Sequence, residues 1–222
     1  MQAPRLTELN PNEVLLYLGY RGQEISSSLE RQISSCIEDV MKIARPRLVY
    51  RRAAVLDGRI DGLSLAGHDI EELLSSCHEA IVMAATLGSE AEALLRRKEV
   101  VNMADALIID SAESTAIENV ANNFEQDMRD ELASGGLFLT DRFSPGYGDL
   151  PLETQDQLSL FLDTEHRIGL SVTADHLMIP RKSVTCIMGI SRVEQKLRKR
   201  GCEVCSMFRS CSYRRSGGAC NG

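Results

Sequence analysis

Residues 80–87 read Ala-Ile-Val-Met-Ala-Ala-Thr-Leu, a nearly continuous apolar run that ends at Gly88. The run has the length of a strand, and its lack of polar alternation is typical of a strand buried on both faces. It therefore predicts the central strand of a sheet that is covered on both sides.

Helical and strand patterns surround this central strand without a regular alternation. Upstream, the patterns predict helices over Glu13–Leu18, 23–44 and 67–76, and a strand over Leu48–Leu56. Downstream, they predict helices over Val101–Ala133 and 153–162, and strands over Ile168–Val172 and Ser183–Ile190. This order predicts an α+β fold with a largely antiparallel, twisted sheet and flanking helices.

Composition places the 222-residue chain among ordinary globular proteins, with 43% hydrophobic and 26% charged residues. No apolar run approaches the length of a membrane span, and the N-terminus lacks a signal-peptide pattern. We therefore expect a cytoplasmic protein without a membrane partner. Residues 191–222 carry a net charge of +6, so the rest carries −13. The acidic body argues against broad nucleic-acid binding by the core.

The loop Arg142-Phe-Ser-Pro-Gly-Tyr-Gly-Asp-Leu-Pro151 contains two prolines, which stiffen it, and two glycines, which permit a positive φ or close contact with a ligand. The planar donor fork of Arg142 suits a carboxylate or a phosphate. The alternative is a rigid structural turn with one surface arginine, because turn chemistry accounts for every Gly and Pro here.

The pattern Arg-x-x-x-Gly-Tyr-x-x-x-Pro, here Arg142, Gly146, Tyr147 and Pro151, resembles the S-adenosylmethionine-binding motif of one known domain. That domain is the activation (reactivation) domain of cobalamin-dependent methionine synthase. The resemblance continues through Ile168–Pro180 and Ser183-Val184-Thr185, and clearly covers residues 100–192. The segments 13–22 and 84–88 look like those of free-standing relatives of this domain. The resemblance implies a methionine synthase activation domain-like fold.

The resemblance also implies roles for particular residues. Arg142 would pair with the carboxylate of S-adenosylmethionine, and Glu118, on the preceding helix, would pair with its amino group. Tyr147 would cover the ligand or face the corrin of a partner. The alternative for Glu118 is a solvated helix carboxylate, and for Tyr147 an ordinary packed turn aromatic.

The implied function is the reductive methylation of cobalamin. In this family, methyl transfer from S-adenosylmethionine traps re-reduced cobalt and so reactivates the oxidised cofactor. The chain has no Asp-x-His-x-x-Gly cobalamin signature and no room for homocysteine or folate modules. The resemblance therefore implies a stand-alone activation component for a separate cobalamin-binding methyltransferase, with an electron donor such as a flavodoxin or ferredoxin. No general acid or base is required.

The last 21 residues contain a cysteine cluster formed by Cys202, Cys205, Cys211 and Cys220. The Cys-x2-Cys spacing is typical of a metal knuckle, and four thiolates suit zinc or an iron–sulfur cluster. Redox-active thiols and a tail without a ligand remain alternatives. The adjacent basic residues also suggest an alternative function, a metal-binding adaptor that contacts nucleic acid or protein.

Three parts of the chain follow from these patterns. Residues 1–100 are expected to form the N-terminal helical and strand part of one compact unit, and residues 193–222 the basic, cysteine-rich tail. The resemblance implies that residues 101–192 form an activation-domain-like core that binds S-adenosylmethionine.

Overall fold

A computed structural model of the chain describes residues 4–194. The helices are α1 (Pro11–Tyr17), α2 (Ser27–Ile43), α3 (His68–Leu74), α4 (Ser89–Val101), α5 (Met103–Ala133), α6 (Thr154–Leu162) and α7 (Thr164–Ile168). The strands are β1 (Arg47–Leu56), β2 (Arg59–Ile60), β3 (Cys77–Thr86), β4 (Phe138–Leu139), β5 (Ser171–Val172), β6 (Met178–Ile179) and β7 (Ser183–Ser191).

The main sheet has five strands in the order β2-β1-β3-β7-β4, and every neighbouring pair is antiparallel. Strand β3 lies at the centre, and its residues 80–86 are fully buried. The apolar run at 80–87 therefore identified the central strand correctly. A separate antiparallel pair is formed by β5 and β6.

The two faces of the sheet support separate hydrophobic cores. Alternate β3 residues point to opposite faces, so Ile81 and Met83 join one core while Ala80 and Val82 join the other. Helices α1, α2, α4 and α5 cover the first face, and α3, α6 and α7 cover the second. The predicted α+β fold with an antiparallel sheet and flanking helices is confirmed.

Two predicted elements differ from the structure. The predicted strand Ile168–Val172 begins in α7, and only Ser171–Val172 is a strand. The predicted long helix is preceded by a second helix, α4, and Asn102 separates the two. Asn102 Oδ1 accepts hydrogen bonds from the backbone N–H groups of Ala104 and Asp105, at 3.1 and 3.3 Å, and so caps α5.

None of the helices between residues 4 and 194 is long and apolar enough to cross a membrane. The free cysteines in this range are Cys36 and Cys186, which are buried, and Cys77, which is partly exposed.

Candidate functional site

The loop at residues 142–151 is fixed to the main sheet by its own backbone. Phe143 forms an antiparallel bridge with Ile187 of β7, through reciprocal hydrogen bonds of 2.9 and 2.8 Å. The Gly146 N–H donates to the Leu150 carbonyl at 2.9 Å, and the Leu150 side chain is buried in the second core. The sheet therefore holds both halves of the loop in one conformation.

Asp149 ties the same loop to helix α3. Its two carboxylate oxygens accept hydrogen bonds from the backbone N–H groups of His68, at 2.7 Å, and Asp69, at 3.1 Å. These backbone donors lower the pKa of Asp149. The carboxylate thus caps the first turn of α3 from a distant part of the sequence.

Gly146 has a φ of +86°, the left-handed conformation that glycine adopts without steric cost. This agrees with the positive φ predicted from the sequence. The residue is exposed, as are Tyr147 and Pro151 in the same loop. Their contacts with a ligand stay predictions.

The guanidinium of Arg142 binds three side chains on α5. Its Nε donates to Glu125 Oε2 at 2.8 Å, and its Nη2 donates to Asn122 Oδ1 at 2.6 Å and to Glu118 Oε2 at 3.3 Å. The Arg142 side chain is only 14% exposed, whereas that of Glu118 is 42% exposed. Glu125 is therefore buried against Arg142, whereas Glu118 faces the surface.

Electrostatics keep this arginine charged. Burial opposes the charged form of Arg142, but Glu118 and Glu125 outweigh it and raise the pKa of the guanidinium. The neighbouring Cys186 thiol is fully buried, which raises its pKa to about 12. The thiol therefore stays protonated beside the arginine.

Glu125 also holds a second arginine. Arg129 contacts Glu125 Oε1 through Nη2, at 2.6 Å, and its Nη1 donates to the Leu139 carbonyl at 2.6 Å. Glu125 thus lies between two guanidinium groups, which fixes it as a rigid support for Arg142.

The structure brings Glu118 and Arg142 together, although 24 positions separate them in the chain. It also adds Asn122 and Glu125, which the sequence reasoning missed. The spacing 118, 122, 125 places all three on one face of α5, and this helical spacing was the signal that could have identified them.

The four cysteines at 202, 205, 211 and 220 lie outside the described residues. Within residues 4–194, no group of three or more His, Cys, Asp or Glu side chains is arranged to hold a metal ion. His166 and His176 each contact one carboxylate, that of Asp163 and Asp156 respectively.

Comparison with known proteins relates the fold of the chain to solved structures. No protein-family model matches the chain, and no curated protein sequence matches it. The chain is similar to the crystal structure of the MetH reactivation domain bound to AdoHcy, with a TM-score of 0.58. The match has 13% identity and covers 85% of this chain and 81% of that chain. The described part of the chain therefore has the fold of the MetH reactivation domain.

Proposed function

We propose that the chain binds S-adenosylmethionine at the Arg142–Glu118 pair and supports the reductive methylation of cobalamin. The cobalamin would be held by a separate cobalamin-dependent methyltransferase, in the first instance a methionine synthase. One observation carries the proposal. An arginine and a carboxylate face each other beside a rigid glycine loop, in a chain whose fold matches a domain solved with AdoHcy.

The amino-acid end of S-adenosylmethionine is complementary to this pair. It carries a carboxylate, which suits Arg142, and an ammonium group, which suits Glu118. Of the three Arg142 contacts, the one with Glu118 is the longest, at 3.3 Å, and the Glu118 side chain is 42% exposed, against 14% for Glu125. Glu118 is therefore the partner that a ligand carboxylate would replace, while Glu125 keeps the guanidinium in place.

The remaining work of the chain is positioning. The loop holds Gly146, where the missing side chain leaves the backbone accessible, and Tyr147, which extends into solvent. Cobalamin, when bound by the partner protein, supplies the cobalt that accepts the methyl group. An electron donor such as a flavodoxin or ferredoxin would restore the reduced cofactor. The Arg142–Glu118 ion pair would orient the ligand for such a transfer.

Calorimetric titration with S-adenosylmethionine tests the binding step. We expect wild-type protein to bind, and Arg142→Ala to weaken binding by about thirtyfold, because a charge-assisted contact is worth about 2 kcal/mol. Arg52→Ala is the matched control, since it removes an ion pair with Glu79 on the main sheet. Equal affinity of Arg142→Ala and wild type would refute the site.

A reactivation assay tests the function. We expect the chain, with S-adenosylmethionine and a reductant, to restore the activity of an oxidised cobalamin-dependent methionine synthase that lacks its own activation domain. The same mixture with Arg142→Ala should restore little. A chain that binds S-adenosylmethionine but reactivates no cobalamin-dependent methyltransferase would limit the proposal to binding.

A further inference from the structure

Asn122 contacts Arg142 through only one end of its side-chain amide. Arg142 Nη2 donates to Asn122 Oδ1 at 2.6 Å. A guanidinium offers donors and no acceptor, so the amide oxygen has to face the arginine and the amide nitrogen has to face away from it. This one hydrogen bond therefore sets the orientation of the Asn122 amide.

The nitrogen end of this amide has no partner. Within residues 4–194, neither Asn122 Nδ2 nor Arg142 Nη1 donates a hydrogen bond to another protein group. Asn122 is exposed, so its amide nitrogen is open to solvent or to a ligand. Unused donors thus remain on both partners of a single hydrogen bond.

The uncharged state of Asn122 matters at this place. Arg142 already contacts two carboxylates, Glu125 at 2.8 Å and Glu118 at 3.3 Å. A third carboxylate at position 122 would leave excess negative charge around the guanidinium and would repel an approaching anion. The amide avoids that repulsion, and its nitrogen adds a donor that an anion can use.

The spacing along α5 places two complementary groups side by side. Glu118 and Asn122 are four residues apart, so they are neighbours on one face of the helix. A carboxylate suits an ammonium group, whereas an amide N–H suits a carboxylate oxygen. The ammonium and the carboxylate of an α-amino acid are attached to the same carbon atom. Neighbouring groups with these opposite preferences match that arrangement.

We propose that Asn122 is a further binding residue for the carboxylate of S-adenosylmethionine. Its Nδ2 donates to one carboxylate oxygen, while Arg142 donates to the other oxygen and holds the amide in place. This inference rests on the proposed function and deepens it, because it makes the site selective for a ligand with an intact α-amino acid group. A ligand without the carboxylate would leave both donors unpaired.

Calorimetric titration with S-adenosylmethionine and with decarboxylated S-adenosylmethionine tests this inference in the full chain. Asn122→Asp keeps an oxygen facing Arg142 but replaces the nitrogen donor by a second carboxylate oxygen. We expect this variant to weaken S-adenosylmethionine binding by at least about tenfold, because a hydrogen bond to a charged group is lost and a like charge is added. The affinity for the decarboxylated ligand should not fall, since that ligand keeps the sulfonium and the amine but has no carboxylate to repel.

Asn122→Ala removes both ends of the amide without adding charge. It should weaken S-adenosylmethionine binding by several-fold and spare the decarboxylated ligand. Gln126→Glu is the matched control, because Gln126 is an exposed amide one turn further along α5 that donates to Asp130 Oδ1, at 2.8 Å, instead of contacting Arg142. This control should change neither affinity by more than about twofold.

The outcomes separate this inference from the proposed function. If Arg142→Ala weakens S-adenosylmethionine binding but Asn122→Asp does not, the inference is wrong and the proposed function stands. Equal losses of affinity for both ligands in Asn122→Asp would also overturn the inference alone. A wild type that binds neither ligand would overturn the proposed function as well.

Discussion

The backbone at Gly146 has a φ of +86°, and a Cβ added there would meet Leu152 Cδ1 at 3.5 Å, an ordinary contact. Strain rather than crowding would therefore oppose a side chain. We expect Gly146→Val to abolish binding of S-adenosylmethionine, because a β-branched residue would force the loop into another conformation. Calorimetry measures the affinity, and urea unfolding measures the stability.

The matched control for Gly146→Val is Gly136→Val. Gly136 also has a positive φ, +68°, but nothing lies within 4 Å of an added Cβ, and it belongs to the turn after α5. Each substitution should lower the free energy of unfolding by about 1–2 kcal/mol. Only the Gly146 variant should lose the ligand. Retained affinity in Gly146→Val would place the ligand elsewhere.

Glu113 is a buried carboxyl group on α5 that the proposed function does not use. Its side chain is fully buried, and neither of its oxygens has a hydrogen-bond partner within residues 4–194. Burial raises its pKa to about 8, with Asp110 and Glu92 adding to the rise while Lys182 and Arg181 oppose it. The group is therefore protonated in the folded protein at neutral pH.

This carboxyl predicts a stability that falls as the pH rises. The unfolded chain ionises Glu113 near pH 4.5, and the folded chain near pH 8. Between these values the unfolded state binds fewer protons, so the folding equilibrium constant falls by up to about tenfold per pH unit. Well below pH 4.5, Glu113 is protonated in both the folded and the unfolded state, so it does not lower the free energy of unfolding there. Glu113→Gln should remove the decline, as measured by urea unfolding at pH 5, 7 and 9.

Glu131→Gln serves as the control for Glu113→Gln, since it alters an exposed carboxylate on the same helix. Its unfolding free energy should follow the wild-type pH profile. If the Glu113→Gln and wild-type profiles run parallel from pH 5 to pH 9, Glu113 does not titrate as its burial predicts.

At the level of elements, Asp149 joins the loop at residues 142–151 to α3. Asp149→Ala removes both hydrogen bonds to the first turn of that helix, which should lower the free energy of unfolding by about 1 kcal/mol. The loop would also lose one of its anchors. We therefore expect the affinity for S-adenosylmethionine to fall as well, by several-fold, in calorimetric titration.

Asn102→Ala provides the comparison for Asp149→Ala. It removes the cap at the first turn of α5, about four helical turns before Glu118, at a similar cost of about 1 kcal/mol. Stability should fall in both variants, but affinity only in Asp149→Ala. Equal losses of affinity would mean that general destabilisation, and not the loop, controls binding.

The elements differ in how far the sequence predicted them. Strand β3 was recognised because both of its faces are apolar, a local property of the chain. Helix α4 was not predicted, because only Ala91, Leu94 and Leu95 of its residues are buried and most of its other positions are charged or polar. The role of Asn102 as a cap of α5 was also missed, since it depends on backbone geometry that apolar spacing does not reveal.

The residues of the candidate site also differ in how far the sequence predicted them. Arg142 and Glu118 were identified through a motif resemblance, and their ion pair follows from the placement of the loop against α5. The attachment of the N-terminal segment to α5 carries no local signal, because its hydrogen bonds join residues 112 and 118 positions apart. The sequence therefore did not predict the contacts between segments that are distant in the chain.

For the molecule as a whole, the isolated chain should not methylate homocysteine. The sequence contains no Asp-x-His-x-x-Gly cobalamin signature, and the Arg142–Glu118 pair is proposed as a site for S-adenosylmethionine alone. An assay with S-adenosylmethionine and homocysteine should show no methionine formation. Addition of a cobalamin-loaded methionine synthase serves as the positive control. Turnover by the purified chain alone would contradict the proposed role as an activation component.

The cysteines of the tail predict a metal site that is independent of the ligand site. We expect anaerobically purified protein to contain near-stoichiometric zinc or iron, because Cys202 and Cys205 have knuckle spacing. Elemental analysis should show the metal lost in the double variant Cys202→Ser/Cys205→Ser. The variant Cys36→Ser, at a buried free cysteine, should retain it. Metal-free protein with freely alkylated tail thiols would refute the site.

Strand β7 lies between β3 and β4 although it follows both in the sequence. A ribosome therefore makes about a hundred further residues before the second edge of β3 finds its partner, and an open edge promotes association between nascent chains. The backbone bridge that anchors the loop at residues 142–151 to β7 can also form only after Ile187 has been synthesised. Translation must reach nearly the end of the described chain before the loop proposed to bind S-adenosylmethionine is anchored.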